Sequence, residues 1–184
     1  MVRLLDLYEN EIVGKMKEQF GYRNNYEVPK IDKIVLNMGL GKASENKRYL
    51  EEGVKLLSAI TGQHPVITEA RKAVAGFKVR VGDKVGCKVT LRKKKMYEFL
   101  DRLVSIVIPR FKDFQGLSLK SFDKQGNYSL GVAEQSAFTE INHDEIEFKL
   151  GMDICLTISN GSPNESLELL KFFGMPFKKA AGDK

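Results

Sequence analysis

Apolar and polar positions alternate along this chain with two distinct periods. Over residues 3–20, Leu4, Tyr8, Ile12, Met16 and Phe20 recur at every fourth position, with Leu5 and Val13 widening the stripe. That spacing predicts a helix buried along one face, ended by Gly21. "KIDKIVLNMGLG" (30–41) reads as a strand running into a glycine turn. "ENKRYLEEGVKLLSAITG" (45–62) reads as a helix with Ser44 as N-cap and Gly62 as its stop. A short strand is expected at 65–69, a long basic loop at 70–82 and a strand at 83–92. A helix is expected at 93–108, with its stripe at Met96, Leu100, Leu103, Val104 and Val107 and with Pro109 closing it. Residues 110–144 are rich in Gly, Phe and polar residues. They suggest a short strand near 127–132 and a turn or short helix near 137–145. "IEFKLGMDICLTIS" (146–159) reads as one long strand. The last helix has the fullest start signal, with Ser162 at the N-cap, Pro163 at the first position and Glu165 completing a capping box. Gly174 and Pro176 end it.

The period-two segments are one-sided. In 146–158 every second residue is apolar, from Ile146 to Ile158. In 83–92 the apolar positions are Val85, Cys87, Val89 and Leu91, and in 31–38 they are Ile34, Leu36 and Met38. The opposite faces carry Lys84, Gly86, Lys88, Thr90 and Arg92, and Lys33, Val35 and Asn37. One face of a sheet therefore packs on helices and the other is open. The expected fold is α+β: a single two-layer domain over residues 1–184, with a mostly antiparallel sheet covered by helices on one face. The open face is either an ordinary solvated surface or a docking platform. As a platform, its small residues admit a rigid backbone, its Lys and Arg meet phosphates, and its Asn and Thr meet ribose or base edges. It lacks aromatic residues, which disfavours single-strand stacking and favours structured RNA. Duplex DNA fits less well, because no helix carries a basic recognition face.

Charge sharpens this choice. The chain has 184 residues, a formal net charge of +6 and a pI near 9.2. Between Arg71 and Lys95 stand ten basic residues and one acid, Asp83, so the remainder of the chain is net acidic. Such a local excess points to a polyanionic partner. The loop "ARKAVAGFKVRVGDKVG" (70–86) combines that charge with three glycines, which suggests a flexible segment. Cys87 and Cys155 lack paired spacing and read as reduced core or near-core residues. "MVRLLDLYENEIV" is broken by charges and does not read as a signal peptide. With no apolar run of membrane-spanning length, the expectation is a cytoplasmic protein.

Catalytic and cofactor patterns are weak. "MGLGKAS" (38–44) fails as a phosphate loop, with Leu36 where the first Gly belongs and Ala43 after Lys42. His64 and His143 have no metal-ligand spacing, and the paired acids Glu51 and Glu52 fit a solvated helix face. No cofactor, metal or catalytic residue is expected. An enzyme acting on RNA or nucleotides and a peripheral membrane protein remain the alternatives. The first lacks a candidate acid or base, and the second lacks a basic amphipathic helix.

"LLSAITGQHPVITEARKAVAGFKVRVGDKVGCKVTLR" (56–92) closely resembles the bacterial large-subunit ribosomal protein family L-five, which binds 5S ribosomal RNA. "KIVLNMGLG" (33–41), "FQGLSLKSFD" (114–123), "NYSLGVAEQSAFTEI" (127–141) and "MDICLTI" (152–158) are similar to the same family, so the resemblance covers essentially the whole chain. Gln115 departs from the family's loop pattern. The resemblance implies a non-enzymatic role in the central protuberance of the large subunit, attaching 5S RNA beside 23S RNA and neighbouring 5S-associated proteins. It implies no membrane association and no homo-oligomer. By the same resemblance, ribosomal RNA would meet Lys33, Asn37, Met38, Gly39, Gln63, Phe77, Lys88, Thr90 and Arg92. Peptidyl-site transfer RNA would meet the loop through Arg71, Lys72, Ala75, Gly76, Lys78 and Arg80. A small-subunit head protein of the S-thirteen family would meet Phe111, Asp113, Gln115, Glu134, Glu140 and Asp144 in an intersubunit bridge. The acids Glu134, Glu140, Asp144 and Glu145 would suit a basic partner there.

Overall fold

A computed structural model describes residues 2–44, 46–112, 114–141 and 147–178. Five strands form one open sheet, in the order β2-β3-β1-β5-β4, where β1 is Lys30–Gly39, β2 Val66–Glu69, β3 Lys84–Leu91, β4 Tyr128–Val132 and β5 Met152–Ser159. The sheet is antiparallel and carries helices, as the one-sided strands predict. Cα packing divides the chain into two compact units. Among the described residues, the first comprises 2–34, 92–130 and 155–178, and the second 35–91, 131–141 and 147–154.

The first unit is largely helical. Residues 3–20 are continuously helical: α1 (Arg3–Leu7), a π-helical turn at Tyr8–Ile12, and α2 (Val13–Phe20). Leu4, Ile12 and Met16 are buried, as the spacing of four requires. Gly21 ends the run in the left-handed region at φ 72°. Helix α4 (Lys93–Arg102) continues through a π turn at Leu103–Val107 and a 3-10 turn at Ile108–Arg110 that contains Pro109. It buries Met96, Phe99, Leu100, Leu103 and Val107. The Arg3 guanidinium ties α1 to α4 through Asp101 and Ser105. Helix α5 (Pro163–Phe172) has the predicted capping box. The Ser162 hydroxyl accepts from the Glu165 amide, and the Glu165 carboxylate accepts from the Ser162 amide at 2.6 Å.

In the second unit, α3 (Arg48–Thr61) lies on the buried face of β3. Gly53 allows that approach: a Cβ there would meet Leu40 Cδ1 at 2.6 Å and Cys87 Sγ at 3.4 Å. The expected Ser44 cap is displaced. Gly41–Ser44 forms a 3-10 turn, α3 begins at Arg48, and Asn46 Oδ1 accepts the Arg48 amide at 3.0 Å. Gly62 does end the helix, at φ 62°.

The long strand expected at 146–159 is shorter in the structure, starting at Met152. Side chains replace the sheet ladder before it. Buried Gln135 donates from Nε2 to the Phe148 carbonyl at 2.6 Å and accepts the Leu150 amide at 2.7 Å. Glu52 Oε1 accepts the Glu147 and Phe148 amides. The helical turn expected near 137–145 is a 3-10 turn at Gln135–Ala137, and 142–146 lie outside the described residues.

Candidate RNA-binding face

Strand β3 sorts its side chains cleanly. Cys87, Val89 and Leu91 are buried, whereas Lys84 and Lys88 are exposed and Thr90 is half-buried. On β1, Ile34, Leu36 and Met38 are fully buried, while Asn37 stays half-exposed. Antiparallel register sets Val66 opposite Lys88 and Thr68 opposite Gly86. Gly86 is required by close approach. A Cβ there would stand 2.5 Å from the Met38 carbonyl oxygen and 3.0 Å from Thr68 Oγ1. The open face of this unit therefore presents Asn37, Lys88 and Thr90, with Gly86 buried between its neighbouring strands.

Gln63 joins this face by construction. The left-handed turn at Gly62 and the Thr61 hydroxyl, which donates to the Leu57 carbonyl at 2.6 Å and accepts from the Gln63 amide at 3.3 Å, fix its backbone. Its side-chain Nε2 then donates to the Thr90 carbonyl at 3.4 Å. Two residues predicted from distant parts of the sequence are thus in direct contact. Gly39 ends β1 in the open. Met38 requires correction as an RNA-contacting side chain. It is fully buried, so its role is to pack beneath the face while its carbonyl lies against Gly86. Lys33 and Arg92 belong to the first unit. Lys33 is half-buried there, and Arg92 pairs with Asp32 at 3.1 Å.

Phe77 stands on the basic loop, as its place in the sequence predicts, in a 3-10 turn at Ala75–Phe77 with 78% of its surface exposed. This loop is not a featureless flexible segment. Val74 and Val79 pair across it through amide–carbonyl bonds of 2.9 and 3.2 Å. Lys78 turns it in the left-handed region at φ 53°. At its base, the Ala70 amide donates to the Asp83 carbonyl at 2.8 Å and the Gly82 amide to the Ala70 carbonyl at 3.0 Å. Arg71, Lys72, Ala75, Gly76, Lys78 and Arg80 are all exposed along this hairpin.

The remaining predicted contacts fall in both units. Phe111 is half-buried, edge-on to Phe114, and Gln115 is exposed; both belong to the first unit. Glu134 and Glu140 are exposed in the second. Glu134 is paired with Lys149 at 3.0 Å, so the acidic patch is weaker than its sequence suggests. Asp113, Asp144 and Glu145 lie outside the described residues.

Both cysteines are free thiols. Burial pushes the Cys87 thiol up to about 11, which keeps it protonated and unreactive at neutral pH. Among the described residues, no helix is long and apolar enough to cross a membrane. Three contributors escaped sequence reasoning. Gln135 gave no signal, because a buried Gln cannot be distinguished from an exposed one by periodicity. Exposed Val66 was hidden by its apolar character. Asp83 was counted only as a charge.

Comparison with known proteins shows the family. Residues 24–80 match the family described as ribosomal protein L5, and residues 84–177 match the ribosomal L5P family C-terminus. The chain is 52% identical over 177 residues to the large ribosomal subunit protein uL5 of Clostridium botulinum (strain Eklund 17B / Type B), covering 96% of this chain and 99% of that one. It is 53% identical over 178 residues to its counterpart in Geotalea uraniireducens, covering 97% and 99%. Geobacter sulfurreducens uL5 gives the same values. Matches of this extent place the chain in the uL5 family of large-ribosomal-subunit proteins, a structural family rather than one of enzymes.

Proposed function

We propose that the chain is a structural component of the large ribosomal subunit that holds 5S ribosomal RNA against the open face of its sheet. The observation that carries this reading is that Asn37, Lys88 and Thr90 stand on the unburied sides of β1 and β3, with Gln63 bonded to the Thr90 carbonyl. A helix-backed strand pair holds these donors and acceptors rigidly, and the buried Gly86 lets β3 lie close against β1 beneath them, so that they meet a ribose–phosphate backbone from a fixed platform. Lys33 on β1 and Arg92, the residue before α4, offer further cations to phosphates. The hairpin at 70–83 supplies a second contact, with peptidyl-site transfer RNA, and its exposed cations meet phosphates. Phe77 belongs with that hairpin. The chain meets a small-subunit head protein of the S-thirteen family through Phe111 and Gln115 of the first unit, through Glu134 and Glu140 of the second, and through Asp113 and Asp144 outside the described residues. 23S RNA and other 5S-associated proteins complete its surroundings.

Substitution on the face tests the reading. Thr90→Ala and Asn37→Ala should each weaken 5S RNA binding roughly five- to tenfold, the loss of one RNA hydrogen bond. The melting temperature should barely change, since both side chains are partly exposed. Unchanged affinity in both variants would contradict a sheet-face site.

A further inference from the structure

Asp83 is the one acid between Arg71 and Lys95. For phosphate binding alone it is unfavourable, because it cancels part of the charge that attracts RNA. Its hydrogen bonds give it another role. Its carboxylate Oδ2 accepts the Arg80 amide at 2.6 Å, and its own amide donates to the Arg80 carbonyl at 3.2 Å. Its carbonyl accepts from Ala70, on the outgoing arm of the hairpin. The carboxylate thus closes the Arg80–Asp83 turn on the returning arm, which sets the Asp83 main-chain carbonyl against Ala70 of the outgoing arm beneath the Val74–Val79 pair.

Apart from its Asp83 bonds, the hairpin is held by main-chain bonds, those of the Val74–Val79 pair and of Gly82 to Ala70 among them. Val74, Phe77 and Val81 are exposed by 44, 78 and 68%, so apolar burial contributes little to its shape. A two-stranded hairpin without a core is marginal in water, and its local bonds then decide how often the binding shape is populated. Affinity for a partner falls in proportion to that population.

We propose that Asp83 is a positioning residue for RNA binding: it clamps the base of the basic hairpin and holds Lys72, Lys78 and Arg80 in their binding arrangement. This rests on the hairpin being an RNA contact. Charge and geometry make opposite predictions for its removal. If only charge mattered, losing Asp83 would tighten RNA binding; if the clamp matters, losing the acceptor weakens it.

Two variants separate these effects. Asp83→Asn and Asp83→Ala remove the same charge, but only Asn keeps an oxygen that can accept the Arg80 amide. The full chain is titrated against a full-length transfer RNA at low salt, with Lys72→Ala and Arg80→Ala as hairpin controls. Hydrogen exchange at the Arg80 amide is followed without RNA. The clamp predicts that Asp83→Asn binds as well as the parent or better. Asp83→Ala should bind roughly fivefold more weakly than Asp83→Asn, with faster Arg80 exchange. Equal affinity of the two Asp83 variants, with both controls weakened, would overturn the clamp and leave the hairpin contact standing. Unchanged binding in both controls would overturn the hairpin contact, and the clamp's role in binding with it.

Discussion

At the scale of single residues, Gly86 couples fold to function most tightly. Its missing Cβ leaves room for the Met38 carbonyl, a backbone atom that cannot swing aside. Gly86→Ala should push β3 from β1 and lower stability by about 1–3 kcal/mol. RNA affinity should fall with it, because Asn37 and Thr90 ride on those two strands. Thermal melting and a 5S RNA titration on the same sample check both effects, and a variant indistinguishable from the parent would show the contact to be soft. The sequence placed Gly86 on the open face, since alternation alone decides the face. It could not show why Gly was needed, because the close partner is a backbone oxygen 48 residues away. Met38 illustrates the opposite limit. Its burial was legible from periodicity, yet resemblance had also made it an RNA contact, and the two could not both hold for its side chain.

Elements were legible where local chemistry alone defines them. The stripe over 3–20 gave a continuous helix, although the π turn at Tyr8–Ile12 left no mark on the pattern. The start of α5 was legible because all its signals lie within four residues. The strand at 146–159 was overextended because alternation persists where the ladder does not. Gln135 and Glu52, distant in sequence, satisfy the backbone of 147–150 instead. Helix α5 also carries a pH dependence. Burial pushes the Glu165 carboxyl up, but hydrogen bonds from the Tyr22 hydroxyl, at 2.5 Å, and from Ser162 outweigh it and leave the group below its ordinary value of 4.5. A carboxylate depressed in the folded state contributes stability that is full above its unfolded value and is lost as pH falls through the folded one. Tyr22→Phe removes one donor. It should therefore melt at a lower temperature than the parent at pH 7, with the gap narrowing below pH 4.5. Melting curves from pH 7 to pH 3 measure this, and a gap independent of pH would rule out the Tyr22–Glu165 bond as its source. Ser162→Ala should cost about 1 kcal/mol at neutral pH through loss of the cap, read from the urea midpoint.

At the scale of the whole molecule, the distribution of charge matters more than its sum. A net charge of +6 is modest for an RNA-binding chain, but nearly all of the excess lies on one strand, one hairpin and the start of α4. This concentration was fully legible in the sequence. Its three-dimensional meaning was not, because the bonds between Ala70, Arg80 and Asp83 at the base of the hairpin carry no compositional signature. The central claim is that a specific sheet-face site, and not only a basic surface, binds 5S RNA. Its most direct test is a titration of the chain against 5S ribosomal RNA at several salt concentrations, with a transfer RNA and a plain RNA duplex as competitors. The account predicts tight binding that both competitors fail to displace. The log–log salt slope should be only a few units, at roughly 0.7–0.9 per phosphate contacted. Weak binding, equal for all three RNAs and steep in salt, would contradict it.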